Sequence, residues 1–166
     1  MKRDKAIVGA AGEHLVMSRL LNRKFLAALA PRGVEKVDIL VNHLDGKAPC
    51  LIQVKTRTGI DANAGWILNE KNETIDDADI FYCFVALGDI ESHLGDIESQ
   101  VYVIPASQVA RVVRESHATS LRTPGAKGQK LNDSKMRKIR NKYSFSVKSA
   151  PDGWMDKYLE KWDLLK

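Results

Sequence analysis

Asp38, Gln53 and Lys55 are the residues of this sequence whose types and spacing could do chemistry together. They sit in two strand-like runs, Val37-Asp38-Ile39-Leu40-Val41 and Leu51-Ile52-Gln53-Val54-Lys55-Thr56. On a strand, residues two apart share a face, so Gln53 and Lys55 point one way while Ile52 and Val54 point into a core. A divalent ion held by the Asp38 carboxylate, the Gln53 amide oxygen and a main-chain carbonyl would satisfy these polar groups, and an all-oxygen set suits magnesium or manganese. Hydrolysis of a phosphodiester needs an activated water and neutralised phosphate charge, which a carboxylate-bound metal and a neighbouring lysine both serve. The competing reading is an edge-facing pair in which Lys55 extends to solvent.

Glu13 offers a third acid. On a helical wheel it falls among Ala6, Gly9, Ala10, Val16, Met17 and Leu20, near the centre of a small, apolar face that must approach a sheet closely. A carboxylate there needs a metal or a lysine opposite it, unless it tilts to solvent.

The elements that position these residues follow from periodicity. Residues 3–23 read as an amphipathic helix, Val37 to Thr56 as a hairpin turning at Asp45-Gly46, and Ile80 to Leu87 as a central strand buried on both faces. Val101 to Ile104 form a further strand, and Pro105-Ala106-Ser107 leads into a helix carrying Val109, Val112 and Val113. The tandem Gly88-Asp89-Ile90-Glu91-Ser92 and Gly95-Asp96-Ile97-Glu98-Ser99 read as an exposed acidic hairpin loop. Ser134 to Lys142 is expected as a short basic helix, and Trp154, Tyr158 and Trp162, spaced four apart, as the docking face of a last helix.

A length of 166 residues fits one domain, with a core over 1–118 and a basic, aromatic-anchored extension over 119–166 packed on it. Apolar residues at 44% and charged residues at 28% argue against wholesale disorder and against a membrane protein. No apolar run of signal-peptide or membrane-spanning length follows the start, so a cytoplasmic location is expected. Cys50 and Cys83 lack CxxC partners and are expected as reduced, packed thiols. His14, His43, His93 and His117 show no metal-ligand spacing. Charge is concentrated: residues 111–148 hold eleven Lys and Arg against Glu115 and Asp133, a net of +9 in a chain of net +5. Such a segment suits a polyanion, with Lys135, Arg137, Lys138 and Arg140 as candidate contacts, and Thr56 and Arg57 could reach a phosphate from the end of the chemical strand.

In order and type, Glu13 on a first helix, Val-Asp-Ile-Leu-Val, and then Ile-Gln-Val-Lys resemble the PD-(D/E)XK phosphodiesterase superfamily in its Gln-x-Lys variant, also found in Mrr-like restriction enzymes and tRNA-endonuclease-like domains. The resemblance covers residues 5–57 by motif and runs to about 115 by element order. It implies a restriction-endonuclease-like α/β fold with a central mixed sheet of four or five strands flanked by helices. It further implies metal binding by Asp38 and Gln53 with Glu13 as accessory acid, and a catalytic Lys55. The activity implied is magnesium-dependent hydrolysis of nucleic acid, DNA before RNA, with no membrane partner and a homodimer left open. Two departures stand out: Val37 replaces the proline of the motif, and Gln53 replaces an acid, which removes one negative charge from the metal site. The alternative is therefore a nucleic-acid-binding protein that keeps the fold without efficient cleavage; a third reading is a basic tail that meets an acidic protein partner.

Overall fold

The computed structural model describes residues 4–31, 33–88, 98–125, 128–129 and 132–165. Helix α1 (Lys5–Asn22) begins where the Asp4 carboxylate accepts a hydrogen bond from the Ala6 N–H at 2.8 Å, a side-chain cap on otherwise unpaired donors. It ends at Lys24, whose φ of 67° turns the chain out of the helix. Gly12, Val16 and Leu20 form its buried stripe.

Among the described residues seven strands follow: β1 (Leu26–Leu29), β2 (Ile39–Asn42), β3 (Cys50–Thr58), β4 (Trp66–Asn69), β5 (Ile80–Leu87), β6 (Gln100–Pro105) and, after helix α2 (Ala106–Arg122), β7 (Met136–Ile139). Five make one sheet in the order β1-β2-β3-β5-β6, with β3 and β5 parallel and the other neighbours antiparallel. The expected mixed sheet flanked by helices is thus present. The parallel step from β3 to β5 needs a crossover, and residues 59–79 supply it while carrying β4. β4 and β7 pair antiparallel as a separate two-stranded ribbon.

The sheet divides the core. On one side α1 packs Val16 and Leu20 against Ile39, Ile52, Val54, Cys83 and Val85; on the other, α2 and the ribbon pack Val109, Val112, Val113, Trp66 and Ile139 against Tyr82, Phe84 and Ile104. Burial runs unbroken from Ile80 to Ala86, as a strand covered on both faces requires.

Two expected helices are absent. Residues 136–139 form β7 because Arg137 and Ile139 turn inward while Met136 and Lys138 turn outward, a period of two that β4 completes by pairing. The aromatic segment folds as 3-10 turns at Asp156–Tyr158 and Trp162–Leu165, separated by Glu160 with a φ of 51°. Trp154 and Trp162 consequently enter opposite core clusters. Between them the chain wraps the edge of β6: the Glu160 N–H donates to the Val101 carbonyl at 2.8 Å, and its carboxylate accepts from the Val101 N–H at 3.0 Å. The Gly-Asp-Ile-Glu-Ser tandem falls largely at 89–97, outside the described residues, as do Lys127 and Lys130 of the basic run. Among the described residues no helix is long and apolar enough to cross a membrane.

Candidate active site

Asp38 precedes β2, and its backbone is irregular. The register pairs Ile39 with Ile52, yet the Asp38 N–H also donates to the Ile52 carbonyl at 2.8 Å, so two residues of one strand face one of the other, as in a β-bulge. The bulge aims the side chain along the edge of β3, where Oδ2 accepts a hydrogen bond from the Val54 N–H at 2.7 Å. The carboxylate therefore lies level with Val54, between Gln53 and Lys55 along the strand. Among the described residues this is its one hydrogen bond.

Gln53 and Lys55 leave β3 on the face opposite α1, as alternation expects. Gln53 is half-buried, and its Oε1 accepts from Asn72 Nδ2 at 3.3 Å. Asn72 is only 5% exposed and fully committed: Nδ2 also donates to the Tyr82 hydroxyl at 2.7 Å, and Oδ1 accepts from the Asn69 N–H at 2.9 Å. Because the Asn69 N–H fixes which end of Asn72 is oxygen, Gln53 must present its own oxygen to Nδ2. Burial raises the Tyr82 hydroxyl pKa, and the Asn72 hydrogen bond partly opposes the shift. Lys55 is half-buried and makes no hydrogen bond or ion pair among the described residues.

Glu13 comes from the other side of the sheet. It follows Gly12, where α1 crosses β3 so tightly that a Cβ at position 12 would lie 1.9 Å from Thr56 Oγ1. This crossing lies beyond the stretch of β3 that pairs with β2. Thr56 itself, expected to face a phosphate, is turned under α1 by the same alternation that turns Lys55 away; its hydroxyl oxygen is buried without a hydrogen-bond partner among the described residues.

The basic run divides by orientation. Arg137, expected as a phosphate contact, is only 7% exposed and is held by the Glu73 carboxylate and the carbonyls of Ser134 and Met136. Lys135 is exposed, with Glu70 at 3.9 Å. Lys138 turns outward and Arg140 is half-buried, with Arg57, whose guanidinium lies 5.5 Å from the Trp66 ring centre, near enough for its charge to act on Lys138. Desolvation, then the charges of Arg140 and Arg57, lower the Lys138 pKa.

None of Asn72, Tyr82 and Trp66 is among the site residues expected from the sequence. The one local signal was Asn69-Glu70-Lys71-Asn72, a capping-box spacing, which forms here around a 3-10 turn (Glu70–Glu73). Cys50 and Cys83 are buried free thiols, with burial pushing the Cys50 pKa up to about 11. Among the described residues no cluster of three or more His, Cys, Asp or Glu stands ready for a metal. The donors near β3 are instead one carboxylate, one amide and main-chain oxygens.

No family model matches the sequence, and no curated protein does. Among solved structures, the chain is similar to a bacterial homing endonuclease, I-Ssp6803I, with a TM-score of 0.53 at 13% identity over 99% of this chain and 92% of that one. The two share a fold.

Proposed function

We propose that this chain is a divalent-metal-dependent endonuclease of the PD-(D/E)XK type that hydrolyses DNA, with Asp38, Gln53 and Lys55 at its centre. The observation that carries the reading is the Asp38 carboxylate held by the Val54 N–H between Gln53 and Lys55, in a fold shared with a homing endonuclease. Strand geometry turns the Val54 carbonyl to the same edge as its N–H, past the start of β2. Asp38, Gln53 Oε1 and that carbonyl form an all-oxygen donor set, which fits magnesium or manganese. Gln53 Oε1 keeps a lone pair after accepting from Asn72. The bound ion would supply positive charge to the phosphate and to the attacking water.

The chain's own groups do the rest. Asp38 contributes the formal negative charge that localises the ion. Lys55, half-buried and without a partner among the described residues, places an ammonium where charge develops on the phosphate or where the attacking water must be oriented. Glu13 approaches the same open edge from the α1 side as accessory acid. Arg57, Lys138 and Arg140 contribute contacts to the nucleic acid.

A second reading, DNA binding without efficient cleavage, draws on Gln53: it brings no charge, and Asn72 already engages its oxygen. Cleavage rate against magnesium concentration separates the two. Wild type is expected to cut, Lys55→Ala to lose roughly 1000-fold, and Gln53→Glu to need less magnesium. A wild type that binds DNA yet never cuts with magnesium or manganese would reject the endonuclease and leave the binding protein.

A further inference from the structure

The ribbon of β4 and β7 lies beside the catalytic strand. β4 begins at Trp66, under the Arg57 guanidinium, and the turn that follows it carries Asn72 to Gln53. Alternation sorts its side chains. Trp66, Leu68, Arg137 and Ile139 are buried, whereas Ile67, Met136 and Lys138 face outward, with Ile67 paired to Lys138 across the ribbon.

Ile67 is 65% exposed and Met136 58%. Two large apolar side chains displayed on so narrow an element contribute little to this chain's own core. On the same ribbon stand Lys138 and, just past it, Arg140, with Arg57 over the Trp66 ring at the near end; none of the three forms an ion pair among the described residues. Apolar tips set among unneutralised cations match the major groove of duplex DNA, where thymine methyls and guanine acceptors lie between two rows of phosphates. The dimensions agree as well: two strands spaced about 4.8 Å apart fit a groove about 12 Å wide. A second copy of this chain is a poorer match, because a two-fold contact on this face would bring two copies of the same cation cluster into one interface.

Resting on the DNA reading above, we infer that the β4–β7 ribbon is the sequence-reading element. Ile67 and Met136 contact thymine methyls, Lys138 donates to guanine, and Arg57 and Arg140 hold the flanking phosphates.

The test is selection from a duplex library with a randomised central block, with calcium in place of magnesium so that binding is read without cutting. Wild type enriches a defined sequence. Lys138→Ala, and separately the double variant Ile67→Thr with Met136→Thr, lower the ratio of affinity for that sequence over a scrambled one by about ten-fold. Arg140→Ala weakens both duplexes alike. Matching thermal melts establish that the exposed substitutions leave the fold intact. Enrichment of nothing by a wild type that binds, or full discrimination retained in the variants, overturns the inference. So does a double variant whose sole change is a smaller sedimenting species, which would assign the face to a second copy. A chain that enriches a sequence but never cuts keeps the ribbon and loses only the hydrolytic reading. One that cuts but enriches nothing does the reverse, and one that binds no duplex removes both.

Discussion

Two ionic centres occupy the two sheets, and they are built in opposite ways. In the ribbon, Arg137 is buried and saturated by the Glu73 carboxylate and backbone carbonyls. Beside β3, Asp38 and Lys55 are both half-buried, yet the carboxylate bonds a backbone N–H and the ammonium bonds nothing among the described residues. A buried charge with a full set of partners is a structural element, and removing one partner strands the other. A half-buried carboxylate and ammonium with coordination to spare leave room for the ligand that the proposed site requires. Net charge along the sequence does not distinguish the two cases; the partner set does.

The largest effect expected from breaking this contrast lies at Asp38. Asp38→Asn keeps an oxygen for the Val54 N–H but removes the charge. Metal-dependent cleavage should fall at least about 1000-fold, roughly 4 kcal/mol at the transition state, with an unchanged melting temperature. Asp38→Ala should lose the same activity and also about 1–3 kcal/mol of stability, because the Val54 N–H loses its acceptor. Equal melting of the two variants would show that the bulge does not depend on this hydrogen bond.

At the other centre the order reverses. Arg137→Ala leaves Glu73 without its main partner and should cost about 3 kcal/mol in urea titrations. Lys138→Ala, one residue away, should stay within about 0.5 kcal/mol of wild type while weakening DNA binding. If the two variants unfold at the same urea concentration, the division of the basic run into inward and outward groups is wrong.

A smaller effect is expected where α1 meets β3. Alanine at position 12 gains about 1 kcal/mol of helix propensity, but its Cβ would sit 1.9 Å from Thr56 Oγ1 and 2.8 Å from Thr56 Cβ. The second distance cannot be relieved by rotating a side chain, so Gly12→Ala should be destabilising by about 1–2 kcal/mol net. Adding Thr56→Ala removes the Oγ1 and Cγ2 contacts but keeps the Cβ, so it should recover only part of the loss. Failure of that rescue in a double-mutant cycle would mean that α1 is held off the sheet by something other than Thr56.

Much of the central sheet was legible because its signals are local. The common face of Gln53 and Lys55 follows from strand alternation, and β5 announces itself by an unbroken apolar run. The ribbon was not legible: Met136 to Ile139 takes its strand conformation from Trp66 to Asn69, far away in sequence, and a four-residue stretch with two cations carries too little pattern to indicate a partner. The four-residue spacing of Trp154, Tyr158 and Trp162 suggested one helix face, but a left-handed Glu160 sends the two tryptophans to opposite sides of the sheet. The site was legible to the same depth. Residue types named Asp38, Gln53 and Lys55, whereas the bulge that aims Asp38 and the Asn72 amide that orients Gln53 depend on contacts between elements.

Glu160 carries one more consequence. A sheet edge is a template on which another chain can add a strand, and β6 is such an edge. At Val101 the carbonyl is taken by the Glu160 N–H and the N–H by its carboxylate, so both groups are satisfied by one residue that cannot itself continue a sheet. The same carboxylate holds Arg19 of α1, fastening the cover to the body of the molecule. Glu160→Ala would keep the backbone bond but strip the Val101 N–H of its acceptor and release Arg19, and its signature would be aggregation that rises with protein concentration.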